Sequence, residues 1–258
     1  MGLLISLAAL VVAGFFVTLA FAPRLPSLTL KDPQVLQALH VETAHRLTRL
    51  TGWRRIPRPG KTAAGGRARP LSVGFYVSWD EDSRTSLRRH INQLDVVAPQ
   101  WLVLDGSLGR LKVTFDPQAD AIFASAKTPP SVLPMVHNWA NNASNGPMAD
   151  ALIVYPAARK ALIANLVVLA REHGWAGYVF DLENLSPAGL AAYPTLLAEA
   201  RAALKPLGRE VWVSAPFADD SFPLKRFEAV TDTVVLMAYD QHWSGGDPGP
   251  PAGQDWFE

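Results

Sequence analysis

The chain contains no cysteine. Disulfide frameworks, thiolate metal sites and cysteine nucleophiles are therefore excluded, and the redox compartment leaves no mark. An excess of charge of one sign is also missing: 24 Lys and Arg stand against 23 Asp and Glu, a net charge of +1. Without a basic excess there is no electrostatic footprint for nucleic acid, and no nucleic-acid partner is expected. No Gly-rich phosphate loop follows the first apolar run, and neither G-x-S-x-G nor H-E-x-x-H occurs. Nucleotide binding, nucleophile-elbow hydrolysis and zinc-helix chemistry lose their usual signatures, so neither cofactor nor metal is expected. What the chain does have is a hydrophobic content of 49% over 258 residues, enough for a sizeable core.

The first 22 residues, MGLLISLAALVVAGFFVTLAFA, carry no charged side chain. As a helix they would span roughly 30 Å, the thickness of a bilayer's hydrocarbon core. They read as a single-pass membrane anchor or as a cleaved signal peptide ending at Ala20-Phe21-Ala22. The length of the run and Pro23 just after it favour the anchor. Arg24 and Lys31 follow the span and no basic residue precedes it, a bias that by itself favours a cytoplasmic C-terminal side. Residues 23–70 form a second region. It holds an extended spacer, a helix opened by Asp32-Pro33 and running to about Leu50, and a basic Pro/Gly-rich linker from Arg54 to Pro70.

From Leu71 to Glu258 short apolar runs alternate with longer amphipathic ones. Six runs read as strands: 71–77, 101–105, 131–136, 177–181, 211–215 and 233–239. Ala157–His173 and Pro187–Leu204 read as helices with leucine stripes. Strand and helix in alternation predict an α/β fold with a parallel sheet. Strands apolar on both faces must be covered on both, as in a (β/α)8 TIM barrel or a doubly wound sheet. Polar residues gather at the C-terminal strand ends, where either fold places its ligands. Six strands make an incomplete barrel, and Asp255-Trp256-Phe257-Glu258 reads as the start of a further helix, so a truncated C-terminus is expected.

At the end of the fourth run, "GYVFDLENL" sets Asp181 and Glu183 two residues apart and hence on one side of the strand. Two carboxylates this close do not both ionise cheaply, and one is expected to keep a proton near neutral pH, as a general acid requires. Acidic residues also end strands as caps and loop hydrogen-bonders, so a bare D-x-E leaves both readings open. Trp79, Trp139 and Trp243 lie near strand ends, suited to stacking on sugar rings or to rim packing. Asp105 could oppose Glu183 as a second carboxylate or belong to an ordinary Asp-Gly-Ser turn. His137 and His242 read as hydrogen-bonded loop histidines rather than metal ligands.

"GYVFDLEN" resembles the fourth-strand motif of glycoside hydrolase family 18, the chitinase-like (β/α)8 enzymes, and "LMAYDQHWSG" resembles their sixth-strand M-x-Y-D motif in its bacterial cell-wall and spore-lysin form. The opening "VGFYVSWDEDSRTSLRRHINQLDVVAPQWLVLD" and the third-strand "VLPMVHN" are similar to the same branch, in the same order, over residues 72–258. The resemblance implies that Glu183 is the general acid, Asp181 its tuning partner, and Tyr239 and Asp240 the pair that contacts a substrate acetamido group. Met237 falls at the methionine of that pocket, and Trp79, Asn138, Asn184 and His242 are further candidates for substrate contact.

It also implies a retaining glycosidase acting on β-linked N-acetylglucosamine polymers, peptidoglycan or a chitin-like exopolysaccharide, in which the acetamido oxygen attacks the sugar. Such a domain works on the extracytoplasmic side of the membrane, opposite to the orientation the flanking charges favour. Similar anchored domains resemble the leading part of larger proteins that carry a polysaccharide deacetylase and a glycosyltransferase, so fused or adjacent domains of those kinds are expected partners. Two departures stand out: the earlier acidic positions of D-x-x-D-x-D-x-E fall on Ala176 and Val179, and the third strand lacks S-x-G-G. The losses at Ala176 and Val179, with the expected truncation, support a rival class, a non-catalytic glycan-binding or scaffolding module of the cell envelope.

Overall fold

The computed structural model describes residues 70–217, 219–242 and 245–257. The membrane or signal segment, the helix begun at Asp32, nearly all of the basic linker and Trp243 lie outside the described residues. Among those described, no single helix is long and apolar enough to cross a membrane.

The sheet follows the order of the chain. β1 is Val73–Tyr76. The next strand path has two parts, β2 at Val96–Pro99 and β3 at Leu102–Leu104, and the first of these was not legible as a strand. Pro99 brings no N–H to the ladder, and the Trp101 N–H turns back to the Pro99 carbonyl at 2.9 Å, so the path bends there. β4, Leu111–Val113, folds back antiparallel on β3. The 131–136 run is broken in the same way at Pro134, into β5, Ser131–Val132, and β6, Met135–His137. A short hairpin follows, β7 at Trp139–Ala140 and β8 at Ala143–Ser144. The remaining strands are β9, Gly177–Asp181, β10, Glu210–Pro216, and β11, Thr233–Met237.

Parallel pairing links β1 to β2, β2 to β5, β3 to β6, and then β6, β9, β10 and β11 in turn. Strand order never reverses, so the switch point that defines a doubly wound sheet is not formed among the described residues. The helices are α1, Glu81–His90, α2, Pro117–Ser125, α3, Gly146–Val154, α4, Pro156–His173, α5, Pro187–Leu204, α6, Leu224–Val230, and α7, Gln254–Phe257. Proline opens α4 and α5 at a position where its missing N–H costs nothing, Ser186 caps α5, and Gly174 ends α4 in the left-handed region at φ 68°.

Burial separates the two faces of the sheet. The larger cluster joins Val136, Tyr178, Phe180, Val211 and Val213 to helical residues such as Leu162, Leu166, Leu196 and Leu197. A second cluster, Val96, Ala98, Leu133, Met135, Ala176, Val179 and Trp212, contains no helical residue. Val73 of β1 and Val235 of β11, from the first and last strands, both pack against it. One face therefore lies under helices while the other curls over its own apolar floor. No pairing joins β1 to β11 among the described residues, so the sheet is a curled mixed α/β arrangement without the closure of an eight-stranded barrel.

Candidate active site

Alternation along β9 decides what points inward. Tyr178 and Phe180 pack toward the helices and Val179 toward the floor, so Asp181 emerges on the concave face just above Val179. Trp212 sets the same phase on β10, which brings Ser214 to that face beside it. Asp181 is pushed up to about 7, because burial strips its hydration and the Glu183 charge lies close by, while a hydrogen bond with Ser214 acts in the opposite direction. Its partner in the β6–β9 register is His137, whose burial lowers the imidazole below its ordinary range despite opposing backbone groups at Gln100 and Trp139. A neutral ring and a proton-retaining carboxyl thus sit side by side. Tyr193 of α5 is fully buried behind them, its phenol raised far above normal by burial and by the Asp181 charge.

Glu183 lies two residues past the end of β9 and is held by other segments. The side chain of Asn138, itself buried, donates to the Glu183 carbonyl at 2.9 Å and accepts from the Glu183 N–H at 3.0 Å. The Ser144 hydroxyl donates to Glu183 Oε2 at 2.6 Å. Beyond Glu183 the chain turns at Asn184, in the left-handed region at φ 55°, and the Asn184 carbonyl lies so close to Gly146 that a Cβ there would approach it to 1.8 Å. The Ser186 N–H is then received by the Asp150 carboxylate, at 3.0 Å to the nearer oxygen, just before α5 begins.

The third side comes from the chain after β11. Met237 ends that strand opposite Pro216. Tyr239 is half-exposed, and its phenol is raised by burial and then by the charges of Asp181, Asp240 and Glu183, so all three carboxylates lie within electrostatic reach of its hydroxyl. Asp240 adopts φ 64°, a conformation that costs a non-glycine residue about 1 kcal/mol or more. The His242 ring covers Gly249 and its Nδ1 lies 2.9 Å from the Asp247 carbonyl, so this imidazole braces its own loop. At the rim Trp79 and Trp139 stack with centroids 6.2 Å apart and planes 25° from parallel.

The structure therefore brings Asp181, Glu183, Tyr239 and Asp240 into one electrostatic group, with Asn138 spent on the Glu183 main chain and Asn184 on the turn after it. Asp105 lies apart in the β3–β4 turn, its exposed carboxylate 3.4 Å from Arg110 Nη2. Ala176 and Val179 belong to the apolar floor. Ser144 and Ser214 escaped the sequence reading, since both owe their place to neighbouring strands.

No family model matches the chain. It is 24% identical over 214 residues to the uncharacterized glycosylase YvbX of Bacillus subtilis, covering 76% of this chain and 59% of that protein. Among solved structures, a class V chitinase from Pseudomonas fluorescens superposes with a TM-score of 0.66 at 23% identity, over 73% of this chain and 62% of the other. The fold is that of chitinases. The spore cortex-lytic enzyme SleL of Bacillus cereus superposes with a TM-score of 0.62 at 20% identity, over 69% of this chain and 43% of that one. The chain spans between 25% and 59% of the length of the curated relatives it matches.

Proposed function

We propose that the chain is a glycosidase that cleaves β-linked N-acetylglucosamine polymers, peptidoglycan or a chitin-like exopolysaccharide, with retention and with help from the substrate's acetamido group. The observation that carries this reading is the carboxylate pair itself, Asp181 on the concave face and Glu183 held two residues on by Ser144 and Asn138, with burial and the Glu183 charge pushing Asp181 up to about 7 and the Tyr239 phenol within electrostatic reach of both. The proton that the pair shares passes from Asp181 to Glu183, which gives it to the glycosidic oxygen as the bond to the anomeric carbon breaks and the electron pair leaves with that oxygen. The acetamido carbonyl oxygen bonds to the anomeric carbon from the opposite face, closing an oxazolinium ring. Asp181, ionised by that transfer, receives the acetamido N–H and offsets the positive charge that develops on the ring, while the Tyr239 hydroxyl donates to the carbonyl oxygen and aims it at the anomeric carbon. Water then adds to the anomeric carbon as its bond to the acetamido oxygen breaks and reopens the ring, and Glu183 takes up one of the water's protons, which restores the acid.

The stacked Trp79 and Trp139 rings offer sugar faces an apolar platform at the rim. Polymers of this kind lie outside the cytoplasm, so the domain belongs on the extracytoplasmic side, tethered through residues 1–22. Deacetylase or glycosyltransferase domains, fused or adjacent, would act on the same polymer. The rival reading, a glycan-binding module without turnover, draws on the apolar Ala176 and Val179 in place of further carboxylates.

One assay separates them. N-acetylated and de-N-acetylated oligomers are offered to the wild-type chain and to Glu183→Gln, with binding and product measured together. Cleavage of the N-acetylated oligomer by wild type alone is the expected result. Binding by both proteins without product supports the module, and equal cleavage of the de-N-acetylated oligomer removes the acetamido mechanism.

A further inference from the structure

Ser144 stands 39 residues before Glu183, yet its hydroxyl reaches Oε2 at 2.6 Å. It is carried by a segment closed on itself. The Asn145 N–H donates to the Asn138 carbonyl at 3.0 Å, and between them Trp139 and Ala140 pair antiparallel with Ser144 and Ala143. Asn141 and Asn142 make the two-residue turn at φ 54° and 62°, the left-handed geometry of a tight hairpin that asparagine tolerates. One end of the segment holds the Glu183 main chain through Asn138, and the other holds its carboxylate through Ser144. Asn145 also anchors the segment to α3, since its Oδ1 accepts from the Met148 N–H at 3.1 Å.

We propose that Ser144 is the positioning residue of the acid: its hydroxyl pins Oε2, so that Oε1 carries and delivers the proton. A serine hydroxyl that donates its single hydrogen to one carboxylate oxygen disfavours a proton on that same oxygen. As Glu183 loses its proton to the leaving group, the Ser144 hydrogen bond becomes charge-assisted and strengthens, which lowers the barrier more than it stabilises bound substrate. Ser144 itself neither gains nor loses a proton. The effect on turnover rests on the glycosidase reading; the seating of the carboxylate does not. Seating also keeps the Glu183 charge near Asp181, whose other ionisable neighbours are His137 on β6, Tyr193 on α5 and Tyr239 after β11.

The test takes the full chain as wild type, S144A and S144T. Turnover is measured on N-acetylglucosamine oligomers and on a 2,4-dinitrophenyl glycoside of the same sugar, whose leaving group needs no proton. S144A is expected to lower kcat on the oligomer about 10- to 100-fold, to leave KM unchanged, and to spare the dinitrophenyl substrate, while S144T restores the oligomer rate. Carbon-13 spectra of the Asp carboxyls give a readout independent of turnover. In S144A the released Glu183 carboxylate moves away and the Asp181 titration shifts to lower pH. If the active wild type and S144A agree in both readouts, or lose both substrates equally with the Asp181 titration unmoved, the seating role is wrong and the glycosidase reading is untouched. If wild type cleaves neither substrate but S144A still moves Asp181, the glycosidase reading falls and the seating stands.

Discussion

The side-chain amide of Asn138 pairs with both main-chain polar groups of Glu183, 2.9 Å to its carbonyl and 3.0 Å to its N–H. A single buried residue just after the third strand path thereby fixes the height of Glu183 just after the fourth. Asn138→Ala leaves both Glu183 groups without partners in a poorly hydrated place, at a cost of about 2 to 4 kcal/mol. Denaturant unfolding should show that loss, and turnover of N-acetylglucosamine oligomers should drop by about tenfold or more as the acid drifts.

The raised Asp181 makes a prediction about stability and pH. Folding lifts this carboxyl from an ordinary 3.8 to about 7, so between those limits the folded chain holds a proton that the unfolded chain has released. Its contribution is complete below about pH 4 and is lost as pH rises toward 7, roughly 4 kcal/mol in all. Asp181→Asn should flatten this fall in a series of urea midpoints across that window; an unchanged slope would place the linkage elsewhere. In Glu183→Gln the neighbouring charge is gone, and the Asp181 carboxyl should titrate at lower pH by carbon-13 spectroscopy.

Gly146 touches the acid's loop through space. A Cβ at this position would stand 1.8 Å from the Asn184 carbonyl oxygen, a backbone atom that cannot swing aside. Gly146→Ala should push the Asn184 turn outward, destabilise by about 3 kcal/mol or more, and lower oligomer turnover about 100-fold. Gly174→Ala is the contrast: the site is open but left-handed at φ 68°, so about 1 kcal/mol is lost with turnover intact.

Arg159 ties three helices away from Asp181, Glu183 and Asp240. Its Nε and Nη2 lie 2.8 and 2.9 Å from the Glu199 oxygens, and its Nη1 donates to the Ile153 carbonyl at 2.8 Å where α3 ends. Arg159→Met keeps much of the volume but strands Glu199 and the Ile153 and Val154 carbonyls. A loss of about 2 to 3 kcal/mol is expected, since Glu199 retains some solvent. Thermal unfolding should register it while kcat and KM stay at wild-type values.

Legibility in the sequence followed the periodicity. Pro187–Leu204 was readable to the residue and Pro156–His173 to within one, because proline and glycine punctuate long leucine stripes. The 177–181, 211–215 and 233–239 runs became β9, β10 and β11, the last ending two residues early at Met237. Strand paths containing proline read poorly: Val96–Pro99 passed unnoticed and 131–136 came out as one strand instead of two. The carboxylate pair was visible because a period of two acts within one strand. Ser214 and Ser144 were not, since their meeting with Asp181 and Glu183 depends on register and on a hairpin between distant segments. "NWANNASN" did hold a clue, the Asn-Asn pair suited to a two-residue turn, though nothing local says where such a turn points.

The apolar floor under β9 has a consequence for proton traffic. Below Asp181 lie Val179, Met135 and Trp212, and Ala176 deeper still, none of which can relay a proton. The carboxylate pair is thus sealed from below, and its proton inventory is shared only with the rim and with its polar neighbours Ser214, His137 and Tyr193. A turnover in which the hydrolytic water returns the proton given to the leaving group leaves that inventory unchanged, so only a change in the surrounding pH draws on exchange with bulk water.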